Sequence, residues 1–382
     1  MSAVASWFDR VAVSPRPRPT VFVRAGVPML SLVVALGLGA AILAVTGADP
    51  LEAYRTMFDA SLNGTAAIER TLTYATPLIL TGLAAAVSFR MRTYNIGAEG
   101  QLFMGAIAAS GVALALPADL PTPLILLAVI GAGAVAGAVW AGFAAIPKAL
   151  LGTDEIITTL MLNFVALAFM NYLIFGSMSF WRDPDRPVPQ GKQIPDHAVL
   201  PAISGRLHIG FAIAVVLAVV LWLLLRNTTF GFRLRTIGDS HRAATYAGIG
   251  VPAATIAVMS ISGALAGVAG AIEVSGVTDR LDPKALAIEL GYTGIVIAAV
   301  ARLHPLGVVP VAALLAAITT AGGSMQSIGV QVEVVVLLQG LIFLAVTAGE
   351  FFVTNRLELR RPAAAPQASP PTPATAAGGG GS

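Results

Sequence analysis

A few polar residues sit where this chain can least accommodate them. Asn95, Glu99 and Gln101 fall in the stretch N-I-G-A-E-G-Q, between an apolar run over 66–89 and another from Leu102 to Leu116. An amide or carboxylate at that depth in lipid needs protein partners or water, because an unpaired polar group there is expensive. Thr159 and Asn163 are four apart and share one face of a later helix. Asn163 lies seven residues into its apolar run, about 10 Å deep at 1.5 Å per residue. The chemistry these side chains offer is hydrogen bonding without reaction. They suit either a polar path through a membrane or ties between buried helices, and the residues alone leave both readings open.

Reactive chemistry is poorly provided for. There are no cysteines, so a thiol nucleophile, a disulfide framework and a thiolate metal site are excluded. No G-x-x-x-x-G-K-[ST] phosphate loop occurs, so the chain does not hold ATP in that cradle. Neither H-E-x-x-H nor a Ser/His/Asp grouping falls within the apolar runs. No catalytic residue, metal ligand or cofactor site is predicted, and the chain is read as a non-enzyme. Asp154 and Glu155 precede a helix and are expected to cap its N-terminus rather than act as a catalytic pair. Ion-coupled carriers bury acids along their route. Here the candidates are Glu99, Glu289 and Glu333, with Glu273 at an edge, and the four histidines lie in loops or near span ends. That keeps a proton-coupled secondary transporter as the weaker alternative. A membrane scaffold would leave the polar cluster unexplained.

The elements that must position these residues are membrane spans. Hydrophobic types make up 56% of the 382 residues and charged types 11%, against about 25% charged in soluble domains. The net charge of +3 carries no sign of nucleic-acid binding. Windows of about 20 apolar residues lie near 26–47, 66–89, 95–116, 123–146, 156–177, 208–225, 252–272, 286–302, 305–322 and 331–353. The fold class expected is therefore an all-α integral membrane protein of about ten transmembrane helices. The third window crosses only if Asn95–Gly100 is itself at membrane depth, since the 16 residues Gln101–Leu116 reach about 24 Å of a hydrocarbon core of about 30 Å. With both termini cytoplasmic, 15 of the 23 lysines and arginines fall on the inner side, as the positive-inside rule requires.

The remaining segments give the domain plan. Residues 1–24 form a tail expected to be disordered, residues 25–355 the membrane domain, and residues 356–382 a second disordered tail whose 378–382 G-G-G-G-S resembles an appended linker. The membrane domain carries an external loop at 178–207 and a cytoplasmic loop at 226–251. That cytoplasmic loop contains a short helix signal, with Asp239 or Ser240 as N-cap, Ala243, Ala244 and Ala247 in its body, and Gly248 as its stop. Spans 2–5 and 7–10 form two four-helix blocks running in opposite directions, the arrangement of inverted repeats. Ile96-Gly97-x-x-Gly100 and Leu290-Gly291-x-x-Gly294 open corresponding helices of the two blocks. Gly133-x-x-x-Gly137 and Gly263-x-x-x-Gly267 predict close helix packing.

Asn95–Gln101, the run D-E-I-I-T-T-L-M-L-N over Asp154–Asn163, and L-R-T-I-G-D-S-H-R-A-A-T-Y-A-G-I-G over Leu234–Gly250 resemble the permease subunits of bacterial ABC importers, specifically the nucleoside branch of the ribose-type and branched-chain-type permeases. The likeness covers about 26–355. It implies a multi-pass protein of the bacterial plasma (inner) membrane that passes nucleosides along a path between two permease subunits. Asn95, Glu99, Gln101, Thr159 and Asn163 then become candidates for that path. Gly238, Asp239, Ala243, Ala244 and Gly248 become the coupling helix that contacts a separate ATPase. The resemblance further implies an external substrate-binding lipoprotein and a second, different permease, with ATP and Mg²⁺ held by the ATPase. Where many relatives carry glycine-asparagine-proline, this chain has Gly238-Asp239-Ser240, with Asp239 expected to keep the capping role. A simple-sugar permease is the alternative.

Overall fold

The computed structural model describes residues 11–15 and 20–359. Residues 1–10, 16–19 and 360–382, including most of the two predicted tails and the 378–382 stretch, lie outside the described residues. Those described fall into two compact units, one spanning 32–347 and one made from both chain ends, up to residue 31 and from residue 348. In the end unit Val11–Pro15 pairs antiparallel with Asn355–Leu359, Val13 opposite Leu357. These two segments are strands where residues 1–24 and 356–382 were expected to be disordered tails.

The helices in chain order are α1 (Val21–Val45), α2 (Pro50–Ser61), α3 (Thr65–Phe89), α4 (Ala98–Ala115), α5 (Thr122–Leu151) and α6 (Glu155–Asn171, continued by a π turn over Tyr172–Gly176). There follow α7 (Gly210–Asn227), α8 (Thr229–Asp239), α9 (His241–Tyr246) and α10 (Val251–Glu273, continued by a π turn over Val274–Thr278). The last four are α11 (Pro283–Leu286), α12 (Leu290–Val300), α13 (Pro305–Ser327) and α14 (Val332–Thr354). Among the described residues nine helical segments are long and apolar enough to cross a membrane, and ten if Met29–Val45 and Pro50–Ser61, bent by 119°, count as one. The protein is thus an all-helical membrane protein with the predicted run of spans. Three short helices were not expected, α2, α8 and α11; α2 starts where Asp49 accepts from Leu51 N–H at 2.8 Å and Pro50 fills the first position.

The first helix of each block packs against the second and third of the other. Helix α10 lies on α4 and α5, α3 lies on α12 and α13, and α3 and α10 contact each other. Small residues let the backbones touch. A Cβ on Gly267 would strike Gly133 O, one on Gly137 would strike Gly263 O, and one on Gly105 would strike Gly267. Side chains are therefore excluded where α4, α5 and α10 meet, which realises the packing that the Gly-x-x-x-Gly spacing predicts.

Helix α4 begins at Ala98. Residues 91–97 before it are irregular, and Met91 and Asn95 are fully buried there. Irregular backbone at membrane depth survives only where protein surrounds it. At the end of the bundle that carries residues 178–209, this long segment is tied down. Trp181 Nε1 donates to Ile107 O at 3.0 Å, Leu200 N to Ser275 O at 2.7 Å, and Arg280 Nη1 to Gln190 Oε1 at 2.9 Å. A small hairpin, Ala202–Ser204 with Leu207–His208, closes it.

Candidate functional site

The short helices α4 and α12 meet N-terminus to N-terminus. Glu99 is in the first turn of α4, and its Oε2 accepts the Gly291 N–H of α12 at 2.6 Å. The approach requires glycine, because a Cβ at Gly291 would run into the Ala98–Glu99 backbone. Each helix start carries a partial positive charge of about half an electron. A carboxylate between two such ends is stabilised by both, and this accounts for a buried acid in an apolar bundle. The neighbouring Thr81 of α3 donates to Leu290 O at 3.0 Å, and Gly294 leaves room for its hydroxyl.

The amides form a knot beside this junction. Asn95 Oδ1 accepts from Gly97 N–H at 2.9 Å and from Gln101 Nε2 at 3.0 Å. Its Nδ2 donates to Gln101 Oε1 at 3.0 Å and to Ser262 Oγ of α10 at 2.9 Å, and Ser262 in turn donates to Ala84 O at 2.7 Å. On α6, Thr159 Oγ1 accepts from Ile96 N–H at 3.1 Å. Asn163 accepts from Gly100 N–H at 2.8 Å and donates to Ile96 O at 2.9 Å and Tyr292 Oη at 3.1 Å. The structure thus brings all five predicted path residues into one buried cluster. Their polar groups face protein partners, so in this conformation they tie α3, α4, α6, α10 and α12 together. Sequence reasoning missed Ser262 and Tyr292, whose neighbours are apolar or small residues that read as ordinary packing.

At the opposite edge of the knot Asp154 caps α6, accepting from Ile156 N–H at 2.8 Å and Ile157 N–H at 3.2 Å. Glu155, expected to cap as well, reaches elsewhere. It pairs with Lys148 Nζ at 2.6 Å and accepts Tyr94 N–H at 3.2 Å, anchoring the irregular segment.

The predicted coupling residues lie together at α8–α9. Ser240 is the N-cap of α9, accepting from Ala243 N–H at 3.2 Å, while Asp239 is the last residue of α8. The capping role expected of Asp239 therefore falls to Ser240, whose extended backbone is the one that presents an oxygen to the next turn. Gly238 is buried against Arg90 O, and Gly248 has φ +72°. Ala243 is exposed and Ala244 fully buried. The outward face consists of His241, Arg242, Thr245 and Tyr246, the last 93% exposed.

A cavity of about 570 Å³ opens at the 178–209 end of the bundle. Tyr74 and Pro77 of α3, His208 of the hairpin, Glu273 with Gly276 and Val277 at the end of α10, and Leu290 at the start of α12 contribute to its wall. Exposed Arg70 and Arg206 and half-buried Asp279 are among the remaining lining residues. Burial raises the Asp279 carboxyl above its usual range, with Arg280 opposing the shift. Leu290 connects this wall to the junction one residue further on. None of the five predicted path residues lines the cavity.

Comparison with known proteins identifies the architecture. Residues 67–347 match the family described as the permease component of the branched-chain amino acid transport system. The glucose ABC transporter permease protein TsgB13 of Haloferax volcanii is 33% identical over 90% of this chain and 93% of its own length. The guanosine ABC transporter permease protein NupP of Bacillus subtilis is 33% identical over 84% of this chain and 92% of its own. The nucleoside ABC transporter permease protein NupB of Lactococcus lactis is 31% identical over 83% and 89%. No solved structure gives a significant match. A permease component of this kind works with an ATPase and a substrate-binding protein. The chain belongs to this family of ABC permeases: it is a multi-pass transport subunit of the cytoplasmic membrane and not an enzyme.

Proposed function

We propose that this permease moves nucleosides delivered by an external substrate-binding lipoprotein, with ATP and Mg²⁺ held on a separate ATPase subunit. The transport half of the reading rests on the α4–α12 junction, where two short helices break the bundle at depth and meet around Glu99. The solute half rests on likeness to the guanosine and nucleoside permeases. Equal identity to a glucose permease favours a second reading, a simple sugar. All these solutes carry a ring with neighbouring hydroxyls, and that shared chemistry is the narrower prediction.

In this proposal both termini are cytoplasmic, the 178–209 end faces outward, and the outward face of α9 docks on the ATPase. Asn95, Glu99, Gln101, Thr159 and Asn163 brace the path that this chain forms with a second, different permease. The two four-helix blocks are inverted repeats, which their exchanged packing pairs and matched Gly97/Gly100 and Gly291/Gly294 support. Uptake of tritiated uridine by cells expressing the whole system is expected to vanish when the ATPase gene is deleted. Uptake that persists and is abolished by a protonophore would replace this reading with ion-coupled transport.

A further inference from the structure

Glu273 is 6% exposed. Among the described residues its carboxylate makes neither a hydrogen bond nor an ion pair, although it lines the 570 Å³ cavity. Buried polar groups in native proteins are ordinarily satisfied, and each exception asks for a reason. Glu273 ends the regular part of α10 just where the chain widens into the π turn Val274–Thr278. Single π turns of this kind concentrate at functional sites.

A donor of the same standing faces the same space. His208 is 2% exposed, and its Nδ1 accepts Gly210 N–H at 3.2 Å. That bond leaves the proton on Nε2, and Nε2 has no partner among the described residues. It packs against Gly276, where a Cβ would stand 2.8 Å away, so only glycine leaves room for this edge of the imidazole. Tyr74, half-buried on α3, adds a hydroxyl with no partner among the described residues. The volume falls in the range of small-molecule pockets, about 300–1,000 Å³. One acceptor and two donors, fixed in the wall and unused by the protein, match a neutral solute with adjacent hydroxyls better than a cation. A cation would want several carboxylates, and no group of three or more potential metal ligands occurs among the described residues.

We propose that this cavity is a solute-receiving site on the permease itself, in which the Glu273 carboxylate accepts hydrogen bonds from the vicinal hydroxyls of a sugar ring while His208 Nε2–H and the Tyr74 hydroxyl donate to its oxygens. The inference rests on the reading that the transported solute is a nucleoside or sugar, and it deepens that reading by placing recognition in this subunit as well as in the binding protein.

The test uses the absence of native cysteines. Val277 lines the cavity and is 45% exposed, so V277C supplies the single cysteine of this chain, whose labelling is read on the isolated permease band after treating intact cells that carry the transporter but lack the binding protein. A membrane-impermeant thiol reagent is expected to label it from outside. Uridine at about twice its Kd slows labelling about threefold, and 2′,3′-dideoxyuridine at the same concentration leaves the rate unchanged. Adding E273Q, which keeps size and replaces one acceptor oxygen by a donor, weakens uridine protection about tenfold, as loss of one hydrogen bond to the ring hydroxyls implies. Co-purification of the V277C and V277C/E273Q permeases with the ATPase subunit in wild-type ratio shows that they are assembled. Labelling that neither uridine nor ribose nor glucose slows overturns the site, as does protection that E273Q leaves intact. If wild-type cells fail to take up uridine, the nucleoside reading falls alone. Protection by ribose or glucose then upholds the site for a sugar.

Discussion

The sharpest test of the knot is Asn95→Ala. The Asn95 amide makes four hydrogen bonds within a fully buried site. Ser262 keeps Ala84 O as its acceptor after truncation, so three groups are orphaned: Gly97 N–H and both ends of the Gln101 amide. In a protein core each such orphan costs about 1–3 kcal/mol. Hydrogen bonds between membrane helices average nearer 0.6 kcal/mol, because the unfolded helices in lipid also find partners. Four bonds at that lower figure come to about 2 kcal/mol and three orphans at the higher one to about 3–9 kcal/mol, so a loss of about 2–9 kcal/mol is expected. If Asn95 instead lined a water-filled path, its former partners would hydrate and the loss would stay below about 1 kcal/mol.

A double-mutant cycle separates the two cases. Q101L alone leaves Asn95 bonded to Gly97 and Ser262, whereas N95A/Q101L removes both amides and leaves only Gly97 N–H unpaired. The double variant should therefore be less destabilised than the sum of the single ones by about 1 kcal/mol or more. Unfolding of the purified permease in graded SDS, followed by tryptophan fluorescence, gives the three differences. Additivity to within about 0.5 kcal/mol, with single losses below about 1 kcal/mol, would refute the coupled knot.

The remaining tests probe packing, coupling and pH. Gly267→Ala should destabilise by about 1–3 kcal/mol, because its Cβ meets backbone of α5. Gly131→Ala, with nothing within 4 Å, should leave the same melting curve unchanged. Ala243→Trp should leave folding intact and cut solute-stimulated ATP hydrolysis in the reconstituted complex. Ala244→Trp, at a buried position, should lower the yield of folded protein. Burial holds the His208 imidazole below its ordinary value of 6.5. Its stabilising contribution is therefore complete above pH 6.5 and declines as pH falls through that value, by at most about 1.4 kcal/mol per pH unit. Arg70, Tyr74, Arg206, Glu273 and Asp279 line the same cavity, so H208Q should flatten that slope without removing theirs. A melting temperature with equal pH dependence in both proteins would dismiss His208 as its source.

Much of the knot was legible because polar residues in an apolar chain have few places to go. Asn95, Glu99 and Gln101 stand out from their surroundings, and Thr159 and Asn163 announce themselves by i,i+4 spacing. Their partners did not. Ser262 lies between an isoleucine and a glycine in a helix of small residues, where a hydroxyl reads as a packing choice. Glu273 looked like a span-edge acid because the pattern of α10 gives no sign of the π turn that extends the helix to Thr278. His208 read as a span-end residue, since burial by a hairpin depends on contacts distant in sequence. Helix α2 had a usable signal in Asp49-Pro50-x-Glu52, a cap followed by proline and an acid, but it is amphipathic and escapes a search for apolar windows. Asp239 lost the capping role to its neighbour by one residue, a distinction that rests on backbone angles.

The direction of the bonds across the knot constrains how the protein can move. Glu99 to Gly291, Thr81 to Leu290 and Asn163 to Tyr292 all join the first four-helix block to α12. Asn95 to Ser262 and Ser262 to Ala84 join it to α10. Parting the blocks at the centre would break these five bonds together, and only Thr81 keeps an acceptor in its own helix, Pro77 O at 3.0 Å. Bonds of this kind between membrane helices are worth about 0.6–1.7 kcal/mol each. By contrast, the cavity at the 178–209 end can change shape while leaving every one of these bonds intact. The least costly motion keeps the two blocks as one body pivoting on the knot, and in the proposed assembly the passage then opens between this chain and a second permease. We therefore expect spin-label distances between α4 and α12 to stay constant through an ATP cycle while distances to the partner change, and a change across α4 and α12 would overturn the argument.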